Sequence, residues 1–317
     1  MQYRRLGRAG IEVSAIALGS WLTYGTVTET NTAEACVREA FELGINHFDC
    51  ANAYGSEPHQ AERFLSMALK PFDRSEYVLT TKAFWPVGPK PNQRGLSRKH
   101  IMHQVDESLK ALNTDYVDIF YCHRADPDTE IEETLRAIDD LVHQGKVLYA
   151  GISEWQPAEI AEALTVQERL RLSPIRASQP RYNLLDRYIE HAVLPMCEAA
   201  GIGVVVFSPL AQGLLTGKYR QGQAAPAGSR ASEARVNSSM ERLMTEANFD
   251  RVEKLRTVAD DLGIALSHLA LAWVLRQPGI SSALIGASTP QQIRENVKAL
   301  DVRLSADVLT RIETILA

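Results

Sequence analysis

The chain has 317 residues, 45% of them apolar and 23% charged, and carries a formal net charge of -5. These proportions belong to a globular protein with a sizeable core, and the acid excess excludes a nucleic-acid binder, which needs a basic face to displace phosphate counterions. No apolar run approaches the roughly 20 residues that cross a bilayer, and the four cysteines (Cys36, Cys50, Cys122, Cys197) form no CxxC pair, so reduced thiols in a cytoplasmic protein are expected.

In chain order the pattern opens with a β-hairpin turning at Gly7-Arg8-Ala9-Gly10. Arg4-Arg5 before an apolar stretch is no export signal, because Glu12 and Ser14 interrupt it, and the chain begins directly at the hairpin. Short strands then alternate with amphipathic helices. Strand Val13–Leu18 precedes helix Thr32–Leu43, Asn46–Asp49 precedes Glu62–Leu69, and Tyr77–Lys82 precedes Ser97–Leu112. Tyr116–Cys122 leads to Ile131–Gln144, Leu148–Gly151 to Ala158–Leu164, and Arg176–Gln179 to Ile189–Ala200. Gly203–Phe207, helix Leu266–Arg276 and strand Ala283–Ile285 follow. Ser97 is a natural N-cap, and Gly44, Gly145 and Gly201 are natural C-caps.

The strands are nearly continuous apolar runs, as expected of parallel strands buried on both faces. Eight such units without a linker predict an α/β fold: a (β/α)8 TIM barrel, one domain over residues 1–317, with the N-terminal hairpin added. A doubly wound sheet is the alternative, weakened by the absence of a strand leading into GxGxxG. The connection from Ser208 to about Thr245, after the seventh strand, is long enough to be a lid over the barrel mouth.

Asp49, Lys82 and His123 each stand at the end of a strand, with Tyr54 one turn beyond the first. In a barrel those ends share one mouth. An ammonium beside a phenol lowers the phenol's pKa, a carboxylate keeps that ammonium charged, and a neutral imidazole can orient a carbonyl oxygen. The set suits delivery of a proton to oxygen. None of the four donates a hydride, so a cofactor must supply it.

Other patterns point elsewhere and carry less. Gly213-Leu214-Leu215-Thr216-Gly217-Lys218 has one residue too few for a P-loop, and Tyr219 replaces its Ser or Thr. His100 and His103 read as a solvated helix face rather than metal ligands, and no metal is expected. Cys50 and Cys122 read as buried packing, and Asn237-Ser238-Ser239 is a sequon without export.

Gly19-Ser20-Trp21, Phe48-Asp49-Cys50-Ala51-Asn52-Ala53-Tyr54-Gly55, Thr81-Lys82, Arg94-Gly95-Leu96-Ser97 and Asp118-Ile119-Phe120-Tyr121-Cys122-His123-Arg124 come in that order. Gly151-Ile152-Ser153, Phe207-Ser208-Pro209-Leu210 and Leu284-Ile285-Gly286-Ala287-Ser288 follow. With these motifs the chain resembles the aldo-keto reductases over essentially its full length, in the branch containing the voltage-gated potassium channel β-subunits and their bacterial relatives. The resemblance implies reversible NADPH-dependent reduction of aldehydes and ketones. Tyr54 would be the proton donor, Lys82 and Asp49 its tuning pair, and His123 the group orienting the carbonyl. Phe207 would face the nicotinamide, Ser153 and Gln179 would hold its carboxamide, and Trp21, after Ser20, would straddle cofactor and substrate. Ser208, Leu210, Gln212 and Lys218 would follow the pyrophosphate. Gly286, Ser288, Gln292, Glu295 and Asn296 would hold the adenosine half, with Arg230 approaching it.

Two departures stand out. Glu154 occupies the place of a common Asn after the fifth-strand serine. Gly286 and Gln292 replace a Lys and an Arg that read the 2′-phosphate in monomeric relatives, which leaves that role to Arg230, Lys218 and Ser288, with NADH as the alternative cofactor. The resemblance also carries a second function, a cofactor-binding regulatory subunit. His123, where the eukaryotic channel subunits commonly carry Asn, favours the enzyme. Trp21, Tyr24, Trp85, Arg124 and Tyr182 are expected at the mouth and favour small aromatic or dicarbonyl aldehydes. Relatives in this branch form dimers, tetramers or octamers, which leaves a homo-oligomer open.

Overall fold

The computed structural model describes residues 1–21, 30–226, 229–232, 240 and 242–317, the side chains of Thr30 and Arg230 excepted. A two-stranded antiparallel hairpin, β1 (Tyr3–Arg5) and β2 (Glu12–Ser14), precedes eight parallel strands that close into a barrel. These are β3 (Ile16–Gly19), β4 (His47–Asp49), β5 (Val78–Ala83), β6 (Val117–Cys122), β7 (Val147–Ser153), β8 (Ile175–Gln179), β9 (Gly203–Phe207) and β10 (Ile280–Ile285). They run in sequence order around the barrel, with β10 closing onto β3, which excludes the doubly wound alternative.

The expected first strand, Val13–Leu18, divides at Ala15: its first half pairs in the hairpin and its second in the barrel. The hairpin plugs the floor. Leu6, Ala9 and Val13 pack with Ala17, Ile119, Tyr121, Ala177, Val205 and Leu284 inside the barrel. Gly7 makes the close approach possible, since its φ is 56° and a Cβ there would lie 2.4 Å from the Gly201 carbonyl oxygen. The neighbouring residues Phe120, Cys122, Phe48 and Leu79 face outward into the layer shared with the helices. Alternate side chains of one strand thus enter two different cores, which is why the strands read as unbroken apolar runs.

Helices Gln60–Leu69, Arg98–Leu112, Ile131–His143 and Pro157–Leu170 follow β4 to β7. Ser97 accepts from the His100 N–H as N-cap, and Gly44, Gly145 and Gly201 all have positive φ at or just past helix ends. The expected helix Ile189–Ala200 breaks into a 3-10 turn, Tyr188–Glu190, and a helix, Val193–Ala200. Pro195 explains the restart, because a proline fits only within the first turn. Among the described residues three further helices, Glu246–Asp261, Pro290–Val297 and Ala306–Leu316, add to those the sequence pattern predicts. Their caps Thr245, Thr289 and Ser305, each accepting a backbone N–H three residues on, were the available signal.

The long connection after β9, the seventh barrel strand, holds 3-10 turns Ala211–Thr216 and Arg230–Ser232 before the Thr245 cap. Among the described residues no single helix is long and apolar enough to cross a membrane.

Candidate active site

Strand register places the carboxyl ends of β4, β5 and β6 side by side, Asp49 opposite Thr80 and Lys82 opposite Tyr121. Lys82 follows inward-facing Thr80 by two, and His123 follows inward-facing Tyr121 by two, so their side chains enter the same mouth. Lys82 is fully buried, and its Nζ lies 2.5 Å from Asp49 Oδ2 while donating to the Cys50 carbonyl at 2.8 Å. Asp49 Oδ1 accepts from Thr80 Oγ1 at 2.7 Å and Gln179 Nε2 at 2.9 Å. Tyr54 swings over this pair from the loop after β4. The Lys82 ammonium is 4.9 Å from its ring centroid, and its hydroxyl is 3.4 Å from His123 Nε2.

That loop is tied at both ends. His59 donates its N–H to Asn52, whose own N–H reaches the Lys82 carbonyl, and Ala61 donates to the Tyr54 carbonyl. Behind it, buried Glu62 accepts from the Thr81 hydroxyl and lies 2.6 Å from His59 Nδ1. Thr80, Glu62 and Asn52 were not singled out from the sequence. Thr80 carried a signal, since it stands two residues before Lys82 on one strand face.

Burial pushes the Tyr54 phenol well above its ordinary value of 10, and the Asp49 charge adds to this. This reverses the expected lowering by Lys82: burial and the Asp49 charge together outweigh that ammonium, which Asp49 pairs. Burial, with Lys82 and Arg124 nearby, holds His123 well below 6.5, so its imidazole is neutral. Burial also lowers Lys82 itself, opposed by the charge and hydrogen bond of Asp49. Cys50 and Cys122 are buried thiols whose pKa values burial pushes up, as expected of packing groups.

A cavity of about 710 Å³ opens at this mouth. Its walls include Trp21, Asp49, Tyr54, His123, Ser153, Gln179, Phe207, Ser208, Leu210, Gln212 and Lys218, and, beyond β10, Gly286, Ser288, Gln292, Glu295 and Asn296. Ser20 and Lys82 stand behind the wall, Ser20 donating its hydroxyl to the Asp49 carbonyl at 2.9 Å. Ser229 lines the cavity immediately before the Arg230–Ser232 turn, while the Arg230 side chain lies outside what is described. Tyr24 and the sequon at Asn237 lie outside the described residues altogether.

Two expectations need correction, those for Tyr182 and His100. Tyr182 does not line the mouth: it is fully buried, stacks on Trp273 at 5.1 Å and donates its hydroxyl to Glu190. Glu154 turns away at a φ of 57°, accepting from the Arg181 N–H and the Tyr188 hydroxyl at 2.7 Å each. His100 is buried, not solvated, because it faces the barrel side of its helix while His103 stays exposed. Among the described residues no group of three or more His, Cys, Asp or Glu side chains is arranged to hold a metal ion.

A sequence profile described as the aldo/keto reductase family matches residues 15–317. The chain belongs to the aldo/keto reductase family. Members of the family generally use NAD(P)H and act on small carbonyl compounds. This aldo/keto reductase is 40% identical over 320 residues to a probable voltage-gated potassium channel subunit beta of Oryza sativa subsp. japonica, covering 99% of this chain and 96% of that protein. It is 38% identical over 305 residues to an L-glyceraldehyde 3-phosphate reductase of Escherichia coli (strain K12), covering 95% and 88%.

Within the reductase barrel, His47 is completely buried with neither ring nitrogen hydrogen-bonded, and burial lowers its pKa to about 4. His47 and His123 therefore stay neutral in the fold while an unfolded chain protonates them near 6.5. The unfolded state then binds more protons, so stability is present above 6.5 and is lost as pH falls toward 4. The slope reaches about 1.4 kcal/mol per pH unit for each histidine. The melting temperature should fall steadily from pH 7.5 to 5, and less steeply in His47→Leu; an unaltered slope in that variant would contradict the assignment.

Proposed function

We propose that this chain reduces small aldehydes and ketones to alcohols with NADPH, Tyr54 giving the proton to the carbonyl oxygen. The observation that carries this reading is the Tyr54 hydroxyl and a neutral His123 Nε2, 3.4 Å apart on the cavity wall, with the Lys82–Asp49 pair buried behind them. A carbonyl oxygen accepting from both would be polarised and held for protonation. His123 Nδ1 is buried without a partner, so Nε2 is the nitrogen that faces the cavity. As the proton leaves Tyr54, phenolate charge develops beside the Lys82 ammonium, which offsets the burial that otherwise keeps the phenol protonated.

The remaining wall fits a dinucleotide. Ala211, Gln212 and Gly213 have successive positive φ values of 46°, 55° and 102°, a tight curl of backbone that brings Gln212 and Gly213 to the cavity wall, where Lys218 adds a cation. Phe207 presents a half-buried side chain to the same cavity. In this reading Phe207 faces the nicotinamide, Ser153 and Gln179 take its carboxamide, Ser208, Leu210, Gln212 and Lys218 take the pyrophosphate, and Gly286, Ser288, Gln292, Glu295 and Asn296 take the adenosine. When bound, the reduced nicotinamide supplies the hydride.

The test is loss of NADPH absorbance when purified protein meets 4-nitrobenzaldehyde or methylglyoxal. Turnover supports the enzyme. Cofactor binding without turnover on either carbonyl would favour the second reading, a regulatory subunit, which the likeness to the Oryza channel subunit supports. The choice of NADPH rests on positive charge near the 2′-phosphate. Arg230→Ala should weaken NADPH by roughly 1.5–3 kcal/mol, the worth of one charge-assisted contact, and leave NADH little affected. Fluorescence titration of both cofactors decides this, and equal losses would mean that Arg230 only shapes the loop.

A further inference from the structure

Around the Tyr54 hydroxyl the cavity wall is made by Trp21, Ala53, Trp85, Pro86, His123 and Arg124. Five of these six are uncharged. The rings form a continuous rim: Trp21 to Tyr54 at 6.5 Å, Tyr54 to His123 at 5.5 Å, and His123 to Trp85 at 6.2 Å between centroids. The Arg124 guanidinium lies 5.5 Å from the Trp85 centroid. Stacking of this kind fixes the planar fork without neutralising it.

Arg124 forms no ion pair among the described residues, and its hydrogen bond there is to the His123 carbonyl at 2.5 Å. A guanidinium carries five N–H donors, so most remain available to the cavity. The carboxylate at this end of the cavity, Asp49, is already engaged by Lys82, Thr80 and Gln179. Arg124 is therefore a cation on the cavity wall with no ion-pair partner among the described residues, and its charge faces the space where a substrate would lie.

We propose that Arg124 forms a subsite for an anionic group, carboxylate or phosphate, carried by the carbonyl substrate. The proposal rests on the reading above that Tyr54 and His123 hold the carbonyl oxygen. The fork geometry of guanidinium matches both anions bidentately. An anion there balances that charge and fixes which end of the substrate enters first.

The test does not need turnover. 4-Carboxybenzyl alcohol and glycerol 3-phosphate, which resemble products, are titrated calorimetrically against the protein with and without NADP⁺, beside uncharged benzyl alcohol and glycerol. At least one anion should bind about 10- to 100-fold more tightly than its uncharged counterpart, the range of one charge-assisted contact. Arg124→Gln should abolish that advantage, and Arg124→Lys should keep part of it. Which anion carries the advantage separates carboxylate from phosphate. Anions that bind no better than their counterparts, or an advantage that survives Arg124→Gln, would overturn the proposal. Anion binding through Arg124 in a protein that oxidises no NADPH would overturn the reductase reading and leave the subsite standing.

Discussion

Replacing Tyr54 by phenylalanine is expected to slow carbonyl reduction by about 10²- to 10⁴-fold, the usual share of general acid catalysis. The substitution removes one hydroxyl, whose partner is His123 Nε2 at 3.4 Å. The ring keeps its contacts with the Lys82 ammonium and Trp21, so the melting temperature should move little. Burial keeps the phenol protonated across the working pH range, so what is lost is a proton donor at every pH in that range. Rate constants kcat and kcat/KM should fall together, as they do when an interaction of the transition state is removed. Steady-state NADPH oxidation and a cofactor titration check both halves. Near-full activity would remove Tyr54 from the role, and weakened cofactor binding would mean that it serves the cofactor instead.

Lys82→Met should damage both rate and fold. The side chain is fully buried and its ammonium is held by Asp49 and the Cys50 carbonyl, so methionine keeps the length and leaves a buried carboxylate without its counter-charge. Breaking a buried pair in this way costs roughly 3–5 kcal/mol. Hydrogen bonds from Thr80 and Gln179 remain on Asp49, which favours the lower end of that range. Without the ammonium, phenolate formation at Tyr54 loses its stabilising charge and reduction should slow strongly. Denaturant unfolding of Lys82→Met beside Tyr54→Phe separates the effects, because only the first should lose stability. A variant unaltered in rate and in unfolding midpoint would remove Lys82 from the site.

Much of this was legible along the chain because it depends on local periodicity. Unbroken apolar runs alternating with amphipathic helices specify parallel strands covered on both faces, and the barrel follows from their number. A polar residue at the end of such a run must stand at the carboxyl mouth, which places Asp49, Lys82 and His123 together without any coordinates. The hairpin turn, the Ser97 cap and the three C-terminal glycines are likewise decided by neighbours only a few residues away.

Tertiary structure decided what depends on contacts between distant residues. Gln179 reaches Asp49 across 130 positions, and no pattern within a strand announces that bond. The sign of the Tyr54 shift came from the depth of burial and from the Asp49 charge. Tyr182 and Glu154 stand in loops beside the mouth yet turn away from it, because Trp273, Glu190 and Tyr188 offer them partners on the far side. Arg124 shows the same division. Its place after His123 is a fact of sequence, whereas its want of a counter-charge is a property of everything packed around it. Periodicity determines which face a side chain takes; how deeply it is buried and what charge meets it there are set only when the barrel closes.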